Sequence, residues 1–409
     1  MARRDPLLVG LDIGTTKIRT VVGEMVDGQV SIIGLGTSPS KGLRKGVVIN
    51  IESTVQSIKK AVEEAELMAG CHIKSAYAGI AGGHIKGINS HGVIAVKSKE
   101  IGPSDVKRVV DVASAIAIPM DREVIHVLNQ EFIVDSQDGI IDPVGMSGER
   151  LEGRVHIVTG AITSAQNIVK CANRAGLDVD DIVLEQLASS EAVVSQEEKD
   201  LGVAIVDIGG GTTDLIIFSG GSIKHTGTFA LAGNHVTHDI AIGLRTPVEE
   251  AEKIKIRYGS CLAAEMKRDE TIEVPSVGGK APRTVSRQTL AEIIEARIEE
   301  ILTLVQNEIA RTGYERLIAS GVVLTGGTAI MEKMPELAEQ IFNLPVRRGT
   351  PMGIGGLVDL VSSPIYATGV GLVLFGSNNS TGKGRFRVGE RKVFSKVTDR
   401  MKEWFGEFF

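Results

Sequence analysis

The sequence predicts an α/β fold built from two related halves, and three observations support this. A strand–turn–strand pattern occurs twice, as LLVGLDIGTTKIRTVVG near the start and as GVAIVDIGGGTTDLIIF after residue 201. The 409 residues are enough for two or more domains. They are 43% hydrophobic but include one Trp and four Tyr, and the 48 glycines lie mostly at turns. This composition is typical of an α/β protein rich in Val, Ile and Gly.

Each copy of the repeated pattern has the chemistry of a phosphate-binding turn. Glycines let backbone N–H groups approach phosphate oxygens, and threonine hydroxyls add donors. Each copy also has an aspartate where its first strand ends, well placed to hold Mg²⁺ through bound water. Two such hairpins facing each other would hold one triphosphate between the halves. The candidate residues are Asp12, Gly14, Thr15, Thr16 and Lys17 in the first turn, and Asp207, Gly209, Gly210, Gly211, Thr212 and Thr213 in the second, with Asp12 and Asp207 as the metal-binding pair.

An ordinary hairpin would explain a single Asp-Ile-Gly turn equally well. It explains two copies less well, because both copies have the same continuation. Each returning strand ends in a favoured hairpin dipeptide, Asp27-Gly28 or Gly220-Gly221, and so continues as a meander. The duplication therefore favours phosphate binding over a purely structural turn.

The spacing of apolar residues predicts the next elements of the first half. Residues 47–69 form a helix that stops at Gly70, and residues 73–82 form a short strand. Residues 84–161 then contain a strand, a helix entered by Pro103, a strand, a Gly-rich loop and a further strand. We interpret this β-α-β-β block as a small inserted subdomain.

The second half is predicted in the same way. A helix over 164–175 leads into it, and the segment TPVE at 246–249 has the composition of a capping box with Pro at the first helical position. Residues 288–312 form a long amphipathic helix, which is followed by a strand, VVLT, and a Gly-Gly turn. The last buried segment, IYATGVGLVLFG, ends at Gly376.

Further residues are candidates for contacts with a nucleotide. The Gly326-Gly327 turn could pass beneath an adenine or a ribose. Glu252 and Lys255 lie one helical turn apart and could hydrogen-bond a ribose and stack on an adenine, although a surface ion pair explains the spacing equally well. Glu185 is the best candidate for a carboxylate that orients an attacking water, although a glutamate in such a loop is more often simply solvated.

The composition argues against several classes of function. The net charge of −6 gives no reason to expect nucleic-acid binding. Three isolated cysteines are most simply reduced core thiols in a cytosolic protein. His235 and His238 have no further ligand nearby, so zinc is not expected. We expect neither a signal peptide, since MARRDPLLVGLDIG runs straight into the first strand, nor a membrane span, since no run of about 18 apolar residues exists.

The last 33 residues carry eight basic and four acidic side chains. Residues 377–393 are polar and then basic, which predicts a flexible linker. Residues 394–409 place apolar side chains on one helical stripe, which predicts an amphipathic helix lying at the surface of a membrane with anionic lipids. A helix docked on the protein's own core is the alternative, but the polar linker argues against it. The membrane-facing residues would be Phe394, Val397, Met401, Trp404, Phe405, Phe408 and Phe409.

Together these motifs resemble a known family. The paired turns and the Gly-Gly turn after VVLT are similar to those of the actin, Hsp70 and sugar-kinase ATPase superfamily. Within it, KGVVINIESTV, PVGMSGERLEG, TPVEEAEKIKIRYG, LTGGTAIMEKMPELAEQIF and the tail at 394–409 resemble the FtsA family of bacterial cell-division proteins. The likeness covers essentially the whole chain, and the block at 84–161 is similar to that family's extra subdomain.

The resemblance implies a duplicated actin-like ATPase fold, with two lobes around a nucleotide cleft, an inserted β-α-β-β subdomain and a C-terminal amphipathic helix. It implies ATP and Mg²⁺ in the cleft, with at most weak ATPase activity, and head-to-tail polymerisation. The implied location is the cytoplasmic face of the bacterial inner membrane at the division site, where the protein would bind anionic lipids. There it would tether the tubulin-like protein FtsZ, contact other division proteins and help assemble the septum.

The resemblance also implies roles for particular residues. The two turns would hold the phosphates, Gly326 and Gly327 would lie at the adenosine, and Glu252 and Lys255 would lie opposite. Glu185 falls where Hsp70-like proteins have a catalytic glutamate. The C-terminal tail of FtsZ is expected on the subdomain at about 245–320.

The expected domain boundaries follow from the same likeness. They are 1–83 and 162–200 for the lobe 1 core (1A), 84–161 for the inserted subdomain (1C), 201–244 for the lobe 2 core (2A), 245–320 for subdomain 2B, 321–376 for the rest of 2A with the return to lobe 1, 377–393 for the linker and 394–409 for the amphipathic helix.

Three other functions are weighed against this one. A small-molecule kinase would need a base and a polar acceptor pocket, and apart from Glu185 the sequence offers no Asp, Glu or His cluster for it. A pilus-assembly ATP-binding adaptor of the same superfamily would share the cleft, but an aromatic amphipathic C-terminus is not expected there. A chaperone would need a substrate domain after Gly376, where only 33 residues remain.

Overall fold

The computed structural model describes residues 7–267, 269–276, 278 and 281–380. Runs of strands are separated by one or two helices along this chain. The strands are β1 (Leu8–Ile13), β2 (Lys17–Val26), β3 (Gln29–Pro39), β4 (Leu43–Arg44), β5 (Val47–Val48), β6 (Ser75–Ile80), β7 (Lys86–Ala95), β8 (Arg122–Val134), β9 (Gln137–Ile140), β10 (Arg150–Ala161), β11 (Asp178–Leu184), β12 (Val203–Ile208), β13 (Thr213–Ser219), β14 (Ser222–Phe229), β15 (Thr271–Val274), β16 (Arg283–Ser286), β17 (Val322–Thr325), β18 (Val346–Arg348) and β19 (Gly355–Gly356).

The helices of the described residues lie between these strands and at the end of the described chain. They are α1 (Ile51–Ala69), α2 (Pro103–Ser114), α3 (Ile162–Ala175), α4 (Glu185–Val193), α5 (Gln196–Leu201), α6 (Gly233–Gly243), α7 (Val248–Tyr258), α8 (Arg287–Thr312), α9 (Met334–Phe342), α10 (Val358–Val361) and α11 (Ala367–Ser380). Within the described ranges, none of the helices combines the length and apolar character needed to cross a bilayer.

The two halves contain sheets with the same arrangement of five strands, to which the first half adds β19. In the first half, β3, β2 and β1 form an antiparallel meander, and β6 and β11 extend it in parallel, in the order β11-β6-β1-β2-β3-β19. In the second half, β14, β13 and β12 form the meander, and β17 and β18 extend it, in the order β14-β13-β12-β17-β18. The predicted duplicated α/β fold is confirmed.

The central strands β1 and β12 are buried along their whole length. In β12 the side chains alternate between two apolar cores, because successive residues of a strand point to opposite faces. Val203 and Ile205 pack in the core shared with the first half, and Ala204 and Val206 pack against helices of the second half. Burial on both faces explains the continuous apolar runs that precede each turn in the sequence.

The described chain divides into two compact units. The larger contains the described residues up to Asn89 with Ile118–Leu128 and His156–Ser377, and the smaller contains Ser90–Ala117 and Asn129–Val155 with residues 378–380. A four-stranded sheet has the order β7-β10-β8-β9.

Strand β9 was not predicted, so the inserted block is β-α-β-β-β rather than β-α-β-β. Its four residues QDGI have no apolar alternation, and three of them are exposed. A turn at Asp135, where φ is 54°, folds this segment back so that Val134 pairs with Gln137. Pairing with β8 rather than local sequence preference therefore defines this strand.

Two helix starts also differ from the prediction. Helix α1 begins at Ile51 rather than at residue 47, because the side chain of Asn50 accepts a hydrogen bond from the Ser53 N–H at 2.9 Å and caps the helix there. The predicted capping box at 246–249 is wrong, since Pro247 occupies the cap position of α7 and no side chain caps it.

The end of the described chain is helical for longer than predicted. Helix α11 continues to Ser380, so residues 377–380 belong to a helix and not to the predicted linker. The remainder of that linker and the amphipathic helix predicted at 394–409 lie outside the described residues.

Candidate functional site

The two predicted phosphate-binding turns lie face to face. A Cβ atom added to Gly211 would overlap the side chain of Thr15, and one added to Gly210 would overlap Thr16. Glycine is therefore required at both positions for the turns to approach each other. The Thr15 hydroxyl also accepts a hydrogen bond from the Gly46 N–H at 3.0 Å. The two halves thus close on a single cavity.

This cavity, here called the inner cavity, brings together most of the predicted site. It is lined by the predicted residues Asp12, Gly14, Thr15, Thr16, Lys17, Glu185, Asp207, Gly209, Gly210, Gly211, Thr212, Gly326 and Gly327. Thr213 is placed differently, because its buried hydroxyl donates a hydrogen bond to the Leu231 carbonyl at 2.7 Å.

The second turn is fixed by helix α6 and by the chain after β17. The N–H groups of Gly233 and Asn234 donate to the carbonyls of Gly209 and Gly210 at 3.1 and 2.8 Å. The Thr328 hydroxyl also donates to the Gly209 carbonyl at 2.8 Å. The Gly209 N–H donates within the turn, to the Thr212 carbonyl at 3.0 Å, so an anion would be bound by the N–H groups that follow Gly209.

The two aspartates at the strand ends have different partners. In each half the aspartate pairs in register with the residue seven positions later on the returning strand, so Asp12 lies opposite Arg19 and Asp207 lies opposite Asp214. The first aspartate faces a cation and the second faces another carboxyl group.

This difference appears in the protonation of the carboxyl groups. Asp12 is 5% exposed, and burial raises its pKa while the Arg19 guanidinium, 3.2 Å away, opposes that rise. For Asp207, burial together with the charges of Asp214 and Asp12 raises the pKa to about 7, although the Thr368 hydroxyl donates a hydrogen bond to its Oδ2 at 3.2 Å. Burial also raises the pKa of Asp214, to about 6.

Glu185 is the fourth carboxyl group of this region. It begins helix α4 at the end of β11 and lines the inner cavity beside Asp12 and Asp207. Burial first, and then the charges of the three aspartates, hold the pKa of Glu185 well above its usual range. The inner cavity therefore concentrates carboxylates that a bound cation would stabilise in the charged form.

The described residues contain no group of three His, Cys, Asp or Glu side chains close enough to chelate a metal ion. Asp12 and Asp207 both line the inner cavity, so their carboxyl groups could hold a hydrated divalent cation through water. Magnesium ions commonly keep several waters and are held by one or two carboxylates and by phosphate oxygens. The donor set of the inner cavity fits such an ion beside a phosphate group.

A wider cavity, here called the outer cavity, adjoins the inner one and has a volume of about 910 Å³. Arg19, Lys17 and Gly327 line both, while Glu252 and Lys255 line only the outer cavity. Cavities of 300–1,000 Å³ are typical of small-molecule sites. The outer cavity has room for the nucleoside part of a ligand whose phosphates lie in the inner one.

Glu252 and Lys255 form an ion pair in which Nζ and Oε2 are 2.7 Å apart. It is not a simple surface pair, because the Lys255 side chain is 9% exposed and donates to the Gly233 carbonyl at 3.1 Å and the Thr237 hydroxyl at 2.8 Å. The Thr237 hydroxyl also donates to Glu252. The pair is thus a fixed part of the wall of the outer cavity.

Comparison with family models agrees with this architecture. Residues 204–371 match the model described as "Cell division protein FtsA", and residues 82–159 match "SHS2 domain inserted in FTSA". The chain is 53% identical over 404 residues to the cell division protein FtsA of Pseudomonas aeruginosa, covering 97% of both chains. The chain belongs to the FtsA family. The resemblance found in the sequence is confirmed.

Other FtsA relatives are similar over nearly the same length. Identity to the FtsA of Neisseria meningitidis is 45%, with 98% of each chain covered, and identity to that of Bacillus subtilis is 42%, with 95% of this chain and 88% of the relative covered. The membership assigns the chain to bacterial cell division.

Solved structures with low identity share the fold. A PilM–PilN type IV pilus biogenesis complex superposes with a TM-score of 0.64 at 16% identity, covering 90% of this chain and 98% of that one. MreB5 of Spiroplasma citri bound to ADP gives 0.54 at 17% identity, covering 92% and 98%. The predicted actin-like architecture is therefore confirmed, and the likeness to the pilus protein is one of fold alone.

Sequence reasoning missed several residues of this FtsA-family site. Arg19 could have been found, because the antiparallel register of the first hairpin places it opposite Asp12, and the same register places Asp214, which belongs to the second motif, opposite Asp207. Thr328 and Thr368 could not, since each reaches the turn from more than a hundred residues away and no local pattern marks it.

Proposed function

We propose that the chain binds ATP with Mg²⁺ between the two turns, polymerises head to tail, and tethers FtsZ filaments to the cytoplasmic face of the membrane at the division site. The observation that carries the nucleotide part is the packing of Thr15 and Thr16 against Gly211 and Gly210. This contact directs two glycine-rich turns at one cavity, as a ligand with several phosphates requires.

Each group of residues has a part in nucleotide binding. The backbone of both turns with Thr15, Thr16 and Thr212 would donate to phosphate oxygens, and the outer cavity would hold the nucleoside. Two solved MreB5 structures of the same fold are described as bound to ADP and to AMPPNP. Their fold likeness supports a nucleotide in the corresponding cleft here.

A bound Mg²⁺ would neutralise charge on the phosphate oxygens. Asp12 and Asp207 would hold its waters from opposite halves of the cavity. Glu185 would accept a hydrogen bond from a water near the terminal phosphate and, with its raised pKa, could take up a proton from it. In line with the family resemblance, we expect at most weak ATPase activity.

The assembly part of the proposal rests on family membership and on the predicted tail. A solved structure with the same fold is described as a MamK double helical filament, with a TM-score of 0.52. We infer that this chain forms filaments as well, that residues 245–320 bind the C-terminal tail of FtsZ, and that residues 394–409 bind anionic lipids. Several tails on one filament would bind a membrane far more tightly than one, since they act at high effective concentration.

Calorimetric titration with ATP tests the nucleotide part. Wild-type protein should bind ATP in Mg²⁺ buffer, and Asp207→Ala should lose most of the Mg²⁺-dependent affinity. Asp200→Ala, at an exposed position that lines neither cavity, is the matched control and should bind like wild type. Absence of wild-type ATP binding would refute the proposal for this cleft.

Vesicle sedimentation tests the membrane part. The full chain should sediment with vesicles containing anionic lipids, and a chain lacking residues 394–409 should stay in the supernatant. Trp404→Glu should also be released, whereas Ser395→Glu, which adds the same charge on the predicted polar side, should still sediment. Equal sedimentation of all four proteins would exclude the tail as the membrane-binding element.

A further inference from the structure

We propose that Arg19 is a phosphate-binding residue of the cleft and that it holds the phosphates next to the ribose rather than the terminal one. This inference rests on the proposed nucleotide binding and deepens it. Arg19 belongs to strand β2, outside the glycine-rich turn in which phosphate contacts were predicted.

Arg19 lies where the inner and outer cavities adjoin, because it lines both. Glu185 and Asp207 line only the inner cavity, and Glu252 and Lys255 line only the outer one. A nucleotide with its terminal phosphate among the carboxyl groups and its nucleoside beside the Glu252–Lys255 pair would pass its first phosphates across Arg19. The position therefore selects the phosphates nearest the ribose.

The guanidinium of Arg19 has donors left for a ligand. Its side chain is 14% exposed, and among the described residues it makes one hydrogen bond, from Nη1 to Asp12 Oδ2 at 3.2 Å. Its buried Nε atom has no hydrogen-bond partner within the described structure. A guanidinium has five N–H donors in a planar fork that matches phosphate oxygens. Unused donors on a partly buried cation at a cavity wall are what an anionic ligand would satisfy.

The aromatic ring of Tyr366 holds this cation in place. The Arg19 Cζ atom lies 5.6 Å from the centroid of that ring, within the range of a cation–π contact. Together with the Asp12 ion pair, this contact fixes the guanidinium at the cavity wall before a ligand binds. Preorganisation of this kind lowers the entropy lost on binding.

The charges of the inner cavity make this cation necessary. Glu185 and Asp207 with Asp12 are acidic groups on its walls, and a nucleotide adds further negative charge. Lys17 also lines the cavity, but it is an exposed residue, so solvent screens it more strongly. Arg19 is the less exposed of the two cations. It would offset both Asp12 and the phosphates.

The second half shows that the fold itself does not demand an arginine here. In the second hairpin the residue opposite Asp207 is Asp214, in the position that Arg19 has opposite Asp12. The strand pairing of the two hairpins is otherwise alike. A positive charge in the first half is thus a chemical feature of the site rather than a requirement of the duplicated hairpin.

Titration calorimetry on the full chain tests this assignment with ATP, ADP and adenosine. Arg19→Gln should lower the affinities for ATP and ADP by the same factor, about 10- to 100-fold for loss of charged hydrogen bonds. The affinity for adenosine should stay within about twofold of wild type. Arg19→Lys keeps the charge near Asp12 but lacks the fork, and it should give an intermediate loss. Arg316→Gln, at an exposed position, is the matched control and should bind all three like wild type.

Repeating the ADP titration in EDTA separates a direct contact from an effect through Asp12 and its metal. The loss caused by Arg19→Gln should persist without Mg²⁺. A loss that disappears in EDTA, that is confined to ATP, or that extends equally to adenosine would overturn the assignment. If thermal unfolding shows that Arg19→Gln is not folded, the affinities of Arg19→Lys for the three ligands are compared with those of wild type instead. A wild-type protein that binds none of the three ligands would instead refute the proposed nucleotide binding, and the role of Arg19 with it.

Discussion

The two hairpin turns have the same backbone but opposite electrostatics. In the first, the strand-end aspartate faces a guanidinium, and in the second it faces another carboxyl group at the same register position. Burial raises the pKa of both aspartates, but Arg19 opposes the rise at Asp12, whereas Asp214 adds to it at Asp207. Duplication has thus preserved the geometry while the chemistry of the halves has diverged.

This difference indicates that the two halves contribute different chemical groups to the cavity. The second half places Asp207 and Asp214 opposite each other, whereas the first half adds the Arg19 guanidinium, a cation suited to phosphate, to its own carboxyl groups Asp12 and Glu185. Steric fit is divided as well, since the threonines lie on the first turn and the glycines that receive them lie on the second. Changes made in one half can therefore be compared with matched changes in the other.

The largest effect should be the pH dependence of stability of the ligand-free protein in EDTA. The pKa of Asp207 is about 7 in the folded state and about 4 in the unfolded state, so the folded state binds more protons in that window. The contribution of Asp207 to the free energy of unfolding is therefore complete below pH 4 and is lost as the pH rises through 7. The loss for this group is up to about 4 kcal/mol. Asp207→Asn, which mimics the protonated form, should remove this loss in urea unfolding at pH 4.5 to 7.5.

Asp12→Asn is the matched variant for the first half. Because Arg19 opposes the pKa rise at Asp12, Asp12→Asn should change the pH dependence of unfolding less than Asp207→Asn does. Equal changes from the two variants would mean that the two halves do not differ electrostatically.

The next largest effect should come from filling the space between the turns. Gly211→Ala places a methyl group where Thr15 lies, so the halves cannot close fully. We expect the affinity for ATP to fall about 10- to 100-fold, as the loss of one or two hydrogen bonds to charged phosphate oxygens would cause. Gly83→Ala is the matched control, because this exposed glycine has open space at its Cβ and should bind ATP like wild type. Unchanged ATP binding by Gly211→Ala would argue against a closed cavity as the binding state.

Removing the charge opposite each aspartate should change stability in opposite directions. At pH 7.5 without ligand, Asp214→Asn should stabilise the fold by about 1–3 kcal/mol, because it relieves like-charge repulsion on Asp207. Arg19→Gln should destabilise it by a similar amount, because it leaves the buried Asp12 carboxylate unpaired. Urea unfolding measures both, and changes of the same sign would contradict the comparison.

The fold and most cavity residues could be predicted because their signals are local. A strand, a glycine-rich turn and a returning strand are each visible within about ten residues, and the duplication reinforces them. The contact from Thr368 to Asp207 joins residues 161 positions apart, and β9 depends on its pairing with β8. Tertiary contacts of this kind leave no local pattern, so the sequence alone could not reveal them.

The two threonines of the second turn give the smallest and most local test. Thr212 lines the inner cavity, whereas the Thr213 hydroxyl donates to the Leu231 carbonyl inside the protein. Threonine and valine have nearly the same shape, so each Thr→Val change removes mainly a hydroxyl. Thr212→Val should lower the affinity for ATP by about 3- to 10-fold, in line with the loss of one hydrogen bond of ~1 kcal/mol. Thr213→Val should leave ATP affinity unchanged but lower the free energy of unfolding by about 1 kcal/mol or more, because the Leu231 carbonyl loses its buried donor.

Calorimetry and urea unfolding on both variants separate the two roles. If Thr213→Val weakened ATP as much as Thr212→Val, the second turn would use both hydroxyls as the first does, and the two halves would be more alike at the phosphate than their structures indicate.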